Sequence, residues 1–341
     1  MKYKKTFKGF YKRFKSKKYL RKCVWQKDDR MRVGIEYNAY FTQVKWKHNF
    51  DELFPDVGHY YQIKYFSNKY EKYAMISDMH VICTSWIDND LLEIAPQMKW
   101  IYIMQAGTEF FDNVKNHRDV AITNARGICA EGIGEYCLCM SLALLKKLHY
   151  AYDNQKKKMW EQSQFIESNF MLLSQKKIGI LGMGKNGQNV AKIFNSLGCY
   201  VMGYDQKNIR SAYVRRMYTT GQLHSIIKSS DILVICLPLT SATTNLITLE
   251  ELRLLGNNGI LINTARGEII KESDLIRALQ RRIISGAVLD VFVHEPLPRA
   301  SRLWTCPNII ITPHIAGNVN NYVDAIQSAF IQALKKYVVR K

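Results

Sequence analysis

Three polar residues in the last quarter of the chain have the types that acid–base chemistry on a small carboxylic acid requires. Arg266 carries a planar cation that can bind a carboxylate through two parallel hydrogen bonds. His314 could give or take a proton, because a histidine imidazole titrates at about pH 6.5. Glu295 could hydrogen-bond that imidazole, fix its tautomer and stabilise its charged form. The set predicts protonation of a carbonyl oxygen beside a bound carboxylate.

The positions of these residues matter more than their types. A strand-end arginine, a lone histidine and a glutamate before a proline are each more often structural than catalytic. Here, however, each residue follows a strand candidate, at 259–263, 287–291 and 309–312. In open α/β sheets, ligands bind beyond the carboxyl ends of the strands. The three residues are therefore predicted to face one ligand site.

A glycine-rich segment follows the apolar strand candidate 177–181. Gly182 permits a tight turn, Gly184 lets the backbone approach a pyrophosphate, and Gly187 lets a helix pack closely on a strand. The helix that follows presents free N–H groups and the positive end of its dipole to phosphates. Asp205 ends the next strand candidate, 18 residues after Gly187. This complete context predicts a dinucleotide-binding unit.

The acid at position 205 also bears on the choice of cofactor. A carboxylate there accepts hydrogen bonds from an adenosine ribose and repels a 2′-phosphate, which favours NAD over NADP. Lys207 and Arg210 lie close in the sequence and weaken this discrimination.

Short β-branched runs alternate with amphipathic stretches such as 187–197 and 271–281. This rhythm predicts parallel sheets with helices on both faces. The segment 153–175 is polar and is predicted to connect the two sheets. The remaining strand candidates are 32–37, 80–84, 100–104, 120–123, 200–204 and 231–236.

Composition limits the class of protein. With 341 residues the chain is long enough for about two domains. A hydrophobic content of 47% excludes a mostly disordered chain, and no apolar run approaches the roughly 20 residues of a membrane-spanning helix. The eight cysteines form no CxxC pair and no zinc-type spacing, so no metal site is expected. Free thiols in a reducing compartment, the cytoplasm, are expected instead.

The positive charge is concentrated at the N-terminus. The first 32 residues hold 14 of the 49 basic side chains and two of the 29 acidic ones. Aromatic residues spaced by three and four would form a stripe beside a basic face, which is typical of segments that contact an anionic surface. No apolar core of a signal peptide is present, but organelle targeting, a disordered tail and an extension that is not natively translated stay open.

Several segments in fixed order resemble the D-isomer-specific 2-hydroxyacid dehydrogenases over about residues 80–320. That family includes glyoxylate and hydroxypyruvate reductases, D-lactate dehydrogenases and phosphoglycerate dehydrogenases. The segments that carry the resemblance are QAGTEFFDN (105–113), NARGICAEGIGEYCLCMSLAL (124–144), the glycine loop, and LWTCPNIIITPHIAG (303–317).

The resemblance implies an α/β architecture of two doubly wound parallel-sheet domains. A Rossmann NAD-binding domain at 127–315 would be inserted in a flavodoxin-like substrate domain at 31–126 and 316–341. Residues 1–30 would form a basic extension, and both ligands would lie in the cleft between the domains. The family's catalytic triad falls on Arg266, Glu295 and His314, all intact in this sequence.

The resemblance also assigns ligand contacts. The cofactor contacts are Gly182, Met183, Gly184, Lys185, Asn186 and Gly187 for the pyrophosphate, Asp205, Leu237, Pro238 and Thr243 for the adenosine half, and Thr264, Arg266 and Asp290 for the nicotinamide half. The substrate contacts are the loop residues Ala106 and Gly107, together with Arg266. Thr108, Glu109 and Gly134 depart from the family pattern and leave the substrate open.

The sequence thus predicts an NAD-dependent oxidoreductase that interconverts a small D-2-hydroxy acid and its 2-oxo acid. The family pattern implies a homodimer formed with the help of a helix near 131–150. The alternative is an NAD(H)-sensing scaffold for protein binding, resembling the C-terminal binding proteins. Such a scaffold would bind NADH and turn substrate over slowly.

Overall fold

The structure is a computed structural model. It describes residues 30–36, 61–87, 92–105, 107, 120–163, 172–207, 209–320 and 322–338. The chain divides into two compact units. One holds the described residues up to Arg126 and the C-terminal helix, and the other spans Gly127–Asn320.

The first unit contains a five-stranded parallel sheet. Its strand order is β2-β1-β3-β4-β5, which is the order of flavodoxin-like folds. The elements are β1 (Met31–Glu36), β2 (Tyr61–Phe66), α1 (Lys69–Met75), β3 (Val81–Thr84), β4 (Trp100–Ile103) and β5 (Ala121–Asn124), followed by the C-terminal helix (Tyr322–Val338).

The C-terminal helix belongs to this first sheet, although it is distant from it in sequence. Phe330 stacks on Trp100 with ring centroids 5.6 Å apart and lies 5.3 Å from Tyr102. The Tyr61 hydroxyl donates to the carbonyl of Leu334 at 3.4 Å. These contacts make the first unit discontinuous in sequence.

The second unit contains a seven-stranded parallel sheet. Its order is β12-β11-β10-β9-β6-β7-β8, so the direction of winding reverses between β6 and β9, as in dinucleotide-binding sheets. The strands are β6 (Lys177–Leu181), β7 (Tyr200–Tyr204), β8 (Arg216–Tyr218), β9 (Ile232–Ile235), β10 (Ile260–Asn263), β11 (Gly286–Leu289) and β12 (Ile309–Ile311).

Helices cover both faces of the second sheet, which explains why its central strands are continuous apolar runs. One apolar cluster includes Ile226, Leu252 and Leu275, and the other includes Cys137 and Phe194. The helices are α2 (Ala130–Leu145), α3 (Leu148–Lys156), α4 (Lys185–Ser196), α5 (Leu223–Lys228), α6 (Leu249–Leu255) and α7 (Glu272–Gln280).

The predicted fold class of two doubly wound α/β domains is confirmed, but two strands were missed. β2 lies at a sheet edge and its sequence, YQIKYF, mixes exposed and buried side chains. β8 has only three residues. Both lack the apolar run on which the strand predictions relied.

Two further boundaries differ from the sequence-based expectation. α3 extends to Lys156, so the start of the segment 153–175 is helical. Residues 316–320 lie with the second unit, because Ala316 is in its core and a Cβ on Gly317 would lie 3.2 Å from that of Cys129. In the described part of the chain, no helix combines the length and apolarity needed to cross a membrane.

Candidate functional site

Three adjacent strands of the second sheet position the predicted catalytic residues. β10, β11 and β12 are neighbours and parallel, so their carboxyl ends lie side by side at the same end of the sheet. Arg266 follows β10, Glu295 follows β11 and His314 follows β12. The fold therefore brings three segments that are separated in sequence to the same end of the sheet.

His314 and Glu295 form a direct hydrogen-bonded pair. The distance from Nδ1 of His314 to Oε2 of Glu295 is 2.7 Å, and the side chains are 49% and 36% exposed. The other oxygen of Glu295 accepts from the backbone N–H of Phe292 at 2.9 Å, which fixes the carboxylate. With Nδ1 donating to the carboxylate, Nε2 of His314 is the nitrogen that can exchange a proton with a substrate.

The His314 loop is wrapped around Asp290. His314 has a φ of 54°, in the left-handed region, and its N–H donates to the carbonyl of Asp290 at 2.9 Å. Oδ1 of Asp290 accepts from the Thr312 hydroxyl at 2.5 Å and from Ile315 N–H at 2.9 Å. Oδ2 accepts from Ala316 N–H at 2.8 Å. Asp290 is 1% exposed, so it holds this loop from inside.

The segment that carries Arg266 is held by Asn263, the last residue of β10. The Asn263 amide donates to the carbonyl of Arg266 at 2.8 Å, and its oxygen accepts from Ala265 N–H at 3.0 Å. A Cβ on Gly267 would lie 2.1 Å from the backbone of Phe292. The loops of Arg266 and Glu295 thus pack directly against each other.

The glycine loop leaves space where a phosphate would approach. Gly182 has a φ of 94°, and a Cβ there would lie 2.6 Å from the carbonyl oxygen of Cys236. A Cβ on Gly187 would lie 2.0 Å from the carbonyl oxygen of Gly182, so helix α4 and the loop are in close contact. A Cβ on Gly184 would meet nothing within 4 Å, at the N-terminal end of α4. The open space, at a helix N-terminus that has no side-chain cap, fits a pyrophosphate.

Asp205 faces the same loop. Its Oδ2 accepts from Met183 N–H and its Oδ1 accepts from Lys207 N–H, both at 2.9 Å. Each carboxylate oxygen has a second lone pair that a ribose hydroxyl could use. The residues present therefore fit the adenosine half of a dinucleotide.

The other predicted contacts have varied surroundings. The Thr243 hydroxyl donates to the carbonyl of Pro238 at 2.7 Å and accepts from Thr240 N–H at 2.8 Å, so it holds its own loop. Thr264 lies beside the buried thiols of Cys137 and Cys236. Burial raises the pKa of Cys236 to about 12, so this thiol stays neutral.

Five more contact residues were predicted on the glycine-loop helix, after β9 and after β4. Lys185 and Asn186 begin α4, and Leu237 follows β9. Gly107 follows β4 in the first unit, and Ala106 lies outside the described residues.

Sequence reasoning assigned no role to Asn263, Thr312 or Tyr136, which all support the site through hydrogen bonds. Asn263 is fully buried and Thr312 bonds to Asp290. The Tyr136 hydroxyl lies 2.5 Å from that of Thr312. A polar residue ending an apolar strand was the available signal for Asn263, but none marked Tyr136.

Comparison with known proteins decides the family. Residues 138–316, about half of the chain, match the family described as D-isomer specific 2-hydroxyacid dehydrogenase, NAD binding domain. The chain belongs to the D-isomer specific 2-hydroxyacid dehydrogenase family. It is 30% identical over 285 residues to a glyoxylate reductase of Aeropyrum pernix, which covers 78% of this chain and 84% of that protein. The predicted resemblance is therefore confirmed.

Solved structures agree on the fold of this 2-hydroxyacid dehydrogenase family member. A family protein from Aeromonas salmonicida is 26% identical with a TM-score of 0.76, covering 90% of this chain and 96% of that one. An NADPH-dependent glyoxylate/hydroxypyruvate reductase of Sinorhizobium meliloti, solved with NADP and sulfate, is 22% identical with a TM-score of 0.76 over 90% and 95%. It shares the fold.

The family assignment makes this chain an oxidoreductase whose second unit is an NAD(P)-binding domain. The comparisons do not favour NAD over NADP, since solved structures of the same fold contain NADPH or NADP. The preference predicted from Asp205 is therefore a matter for experiment.

Proposed function

We propose that this chain interconverts a small 2-oxo acid and its D-2-hydroxy acid with a nicotinamide cofactor, NAD in preference to NADP. The observation that carries the proposal is the 2.7 Å bond between His314 Nδ1 and Glu295 Oε2. This pair lies at the carboxyl ends of β11 and β12, next to the end of β10 that carries Arg266, within a dinucleotide-binding fold.

Arg266 binds the carboxylate of the substrate. Its backbone is fixed by Asn263, and its guanidinium has a fork of donors that matches two carboxylate oxygens. Ala106 and Gly107 are proposed to add backbone N–H donors to the same carboxylate, as the family resemblance implies. Binding one end of the substrate in this way orients its carbonyl group and avoids the entropic cost of orientation in the reaction step.

His314 moves the proton. In the direction of reduction, Nε2 of the imidazolium donates to the carbonyl oxygen while Nδ1 stays hydrogen-bonded to Glu295. The carboxylate stabilises the charged imidazolium before transfer and retains the tautomer afterwards. In the direction of oxidation, Nε2 takes the proton from the hydroxyl group. A bound nicotinamide supplies the hydride in one direction and accepts it in the other.

The residues around the glycine loop are proposed to hold the cofactor. The open space at Gly184 admits the pyrophosphate, beside Met183, Lys185 and Asn186. Leu237, Pro238 and Thr243 are proposed to line the adenosine half, and Thr264 the nicotinamide half. Asp290 uses three of its four lone pairs in the His314 loop, which leaves one on Oδ2 for a carboxamide N–H.

The names of the relatives suggest which substrates to test. Glyoxylate reductases of Aeropyrum pernix and Thermococcus litoralis and a glyoxylate/hydroxypyruvate reductase of Arabidopsis thaliana are among the similar proteins. Glyoxylate and hydroxypyruvate are therefore the first candidates, with pyruvate and a bulkier 2-oxo acid to size the pocket.

We further propose that the chain is a homodimer assembled through α2 and α3. Leu148 and Tyr152 lie four residues apart on α3 and are 59% and 55% exposed, so they offer apolar and aromatic surface that a second copy would cover. Light scattering on the purified chain tests this directly, because a monomer at micromolar concentration contradicts it.

The function is tested on the full chain by following NADH and NADPH oxidation with the four 2-oxo acids. His314→Ala is expected to lower kcat about 1,000-fold, since it removes the proton donor. His294→Ala is the matched control, because His294 neighbours Glu295 in sequence and is assigned no role. NADH binding without turnover on any acid would refute the proposal and favour the protein-binding scaffold.

A further inference from the structure

Two tyrosines from consecutive helices hold the two ends of strand β12. Tyr150 of α3 donates its hydroxyl hydrogen to the side-chain oxygen of Asn308, just before the strand. The Tyr136 hydroxyl, on α2, lies 2.5 Å from that of Thr312, just after it. The two bonds are alike in type, but only the second is at the end of β12 that carries His314.

The bond at Thr312 continues into Asp290. The Thr312 hydroxyl donates to Oδ1 of Asp290 at 2.5 Å, since a carboxylate oxygen accepts. Thr312 has one hydrogen and uses it there, so it accepts from the Tyr136 hydroxyl. The hydrogen bonds are therefore donated in one direction, from Tyr136 to Thr312 and from Thr312 to Asp290.

The protonation of Tyr136 supports this direction. Burial raises the pKa of the Tyr136 hydroxyl above its usual range; the bond to Thr312 opposes this rise, and the nearby Asp290 carboxylate adds to it. The phenol therefore keeps its hydrogen at neutral pH. It is the first donor in this series of hydrogen bonds.

Asp290, the last residue of this series of hydrogen bonds, determines the shape of the His314 loop. Asp290 accepts from the N–H groups of Ile315 and Ala316, on the far side of His314 from Thr312. His314 has a positive φ, which residues with a side chain adopt only when their surroundings impose it. A rotated Asp290 carboxylate would release both N–H groups and change the direction of the imidazole relative to Glu295.

We propose that Tyr136 is a positioning residue for the proposed reaction, acting through Thr312 and Asp290 to hold the His314 loop in its proton-transfer conformation. The inference rests on the proposed function and deepens it. It assigns a role in the reaction to α2, a helix that otherwise covers the sheet and is proposed to form the dimer. Tyr136 is not a catalytic residue, because nothing places it against substrate or cofactor.

The test compares Tyr136→Phe with Tyr150→Phe in the full chain. Both changes remove one hydroxyl that donates to an end of β12, so their thermal stabilities should fall by similar amounts. Tyr136→Phe is expected to lower kcat about 10-fold with KM for the 2-oxo acid changed less than twofold. Tyr150→Phe is expected to leave both constants unchanged. Equal effects on kcat, or no effect of Tyr136→Phe, would overturn the inference.

Substitutions at Thr312 separate positioning from packing. Thr312→Val keeps the shape but removes the donor to Asp290, so it should lower kcat at least as much as Tyr136→Phe. Thr312→Ser retains the hydroxyl and should restore most of the activity, although it removes a methyl group. A Ser variant as slow as the Val variant would show that the methyl group, not the relay, is what matters.

A readout without turnover keeps this inference distinct from the proposed function. The chain is labelled at its histidine Cε1 positions, and the His314 signal is assigned by its loss in His314→Ala. Tyr136→Phe should shift or broaden that signal, whereas Tyr150→Phe should leave it in place. An unchanged signal in Tyr136→Phe refutes the positioning role, even in a chain with no dehydrogenase activity.

Discussion

The two halves of the second sheet prepare for their ligands in different ways. The half around β6 and β7 uses backbone: glycines at 182, 184 and 187 create a turn, a space and a close helix contact. The half around β10–β12 uses side chains: Asn263 and Asp290 are buried and hold the loops of Arg266 and His314. A backbone site is visible as a local motif, whereas a side-chain network is assembled from distant parts of the chain.

The largest effect is expected where a side chain is added to the backbone half. Gly187→Ala would place a Cβ 2.0 Å from the carbonyl oxygen of Gly182, so α4 must move away from the sheet. We expect the free energy of unfolding to fall by about 3 kcal/mol, measured by urea denaturation.

Gly184→Ala is the matched control for that change. Its Cβ meets no protein atom within 4 Å, so stability should hardly change. The same methyl group occupies the space proposed for the pyrophosphate, so NADH affinity should fall at least 10-fold in fluorescence titration. If Gly184→Ala bound NADH normally, the assignment of this space would be wrong.

The next largest effect is expected from a substitution in the half around β10–β12. Glu295→Gln keeps the shape of the side chain but removes the charge that supports the imidazolium, and we expect kcat to fall about 100-fold with NADH affinity unchanged. Steady-state kinetics with the best 2-oxo acid measures this. Glu250→Gln, on an exposed position of α6, should behave as wild type. A Glu295→Gln variant as active as wild type would show that the charge of Glu295 is not needed for catalysis.

A smaller effect tests how the backbone half selects its cofactor. Asp205→Ala removes the carboxylate that would repel a 2′-phosphate, so the ratio of kcat/KM for NADH to that for NADPH should fall about 10-fold. Asp231→Ala is the control, because Asp231 accepts from Lys177 N–H at the opposite end of β6. A ratio that is equal in wild type and Asp205→Ala would exclude discrimination by this residue.

The smallest effect lies outside both halves. Glu251 accepts from the N–H and hydroxyl of Thr248 in a capping box and pairs with His224. Burial acts to raise the pKa of Glu251, but the bonds from Thr248 and His224 outweigh it and lower the pKa. Glu251→Gln should cost about 1 kcal/mol of stability at pH 7 without changing kcat.

The pH dependence of this cost follows from the direction of the shift. A group whose pKa is lower in the folded state stabilises above its unfolded pKa, about 4.3 for glutamate, and loses that contribution as pH falls. The stability difference between wild type and Glu251→Gln should therefore shrink between about pH 5 and pH 3. A difference that is constant over this range would contradict the charged capping box.

The strands show where sequence patterns suffice. β6, β9 and β10 are predicted within a residue or two because runs such as KIGIL and ILVI are buried on both faces, and burial on both faces leaves a continuous apolar pattern. β2 was missed because an edge strand contacts solvent and carries a mixed pattern. Prediction therefore succeeded for the central strands and for two edge strands, β5 and β12, and failed for the other two edge strands, β2 and β8.

The site divides along the same line. By itself, the sequence determined the dinucleotide fold and the glycine loop, and it predicted catalytic roles for Arg266, Glu295 and His314, because each sits in a local pattern of strand, turn and residue type. Only the tertiary structure decided that Glu295 bonds to Nδ1 of His314, and that Tyr136, Thr312 and Asp290 form one chain. These bonds join residues 19, 22 and 176 positions apart on different elements, so they depend on packing, and no local pattern records them.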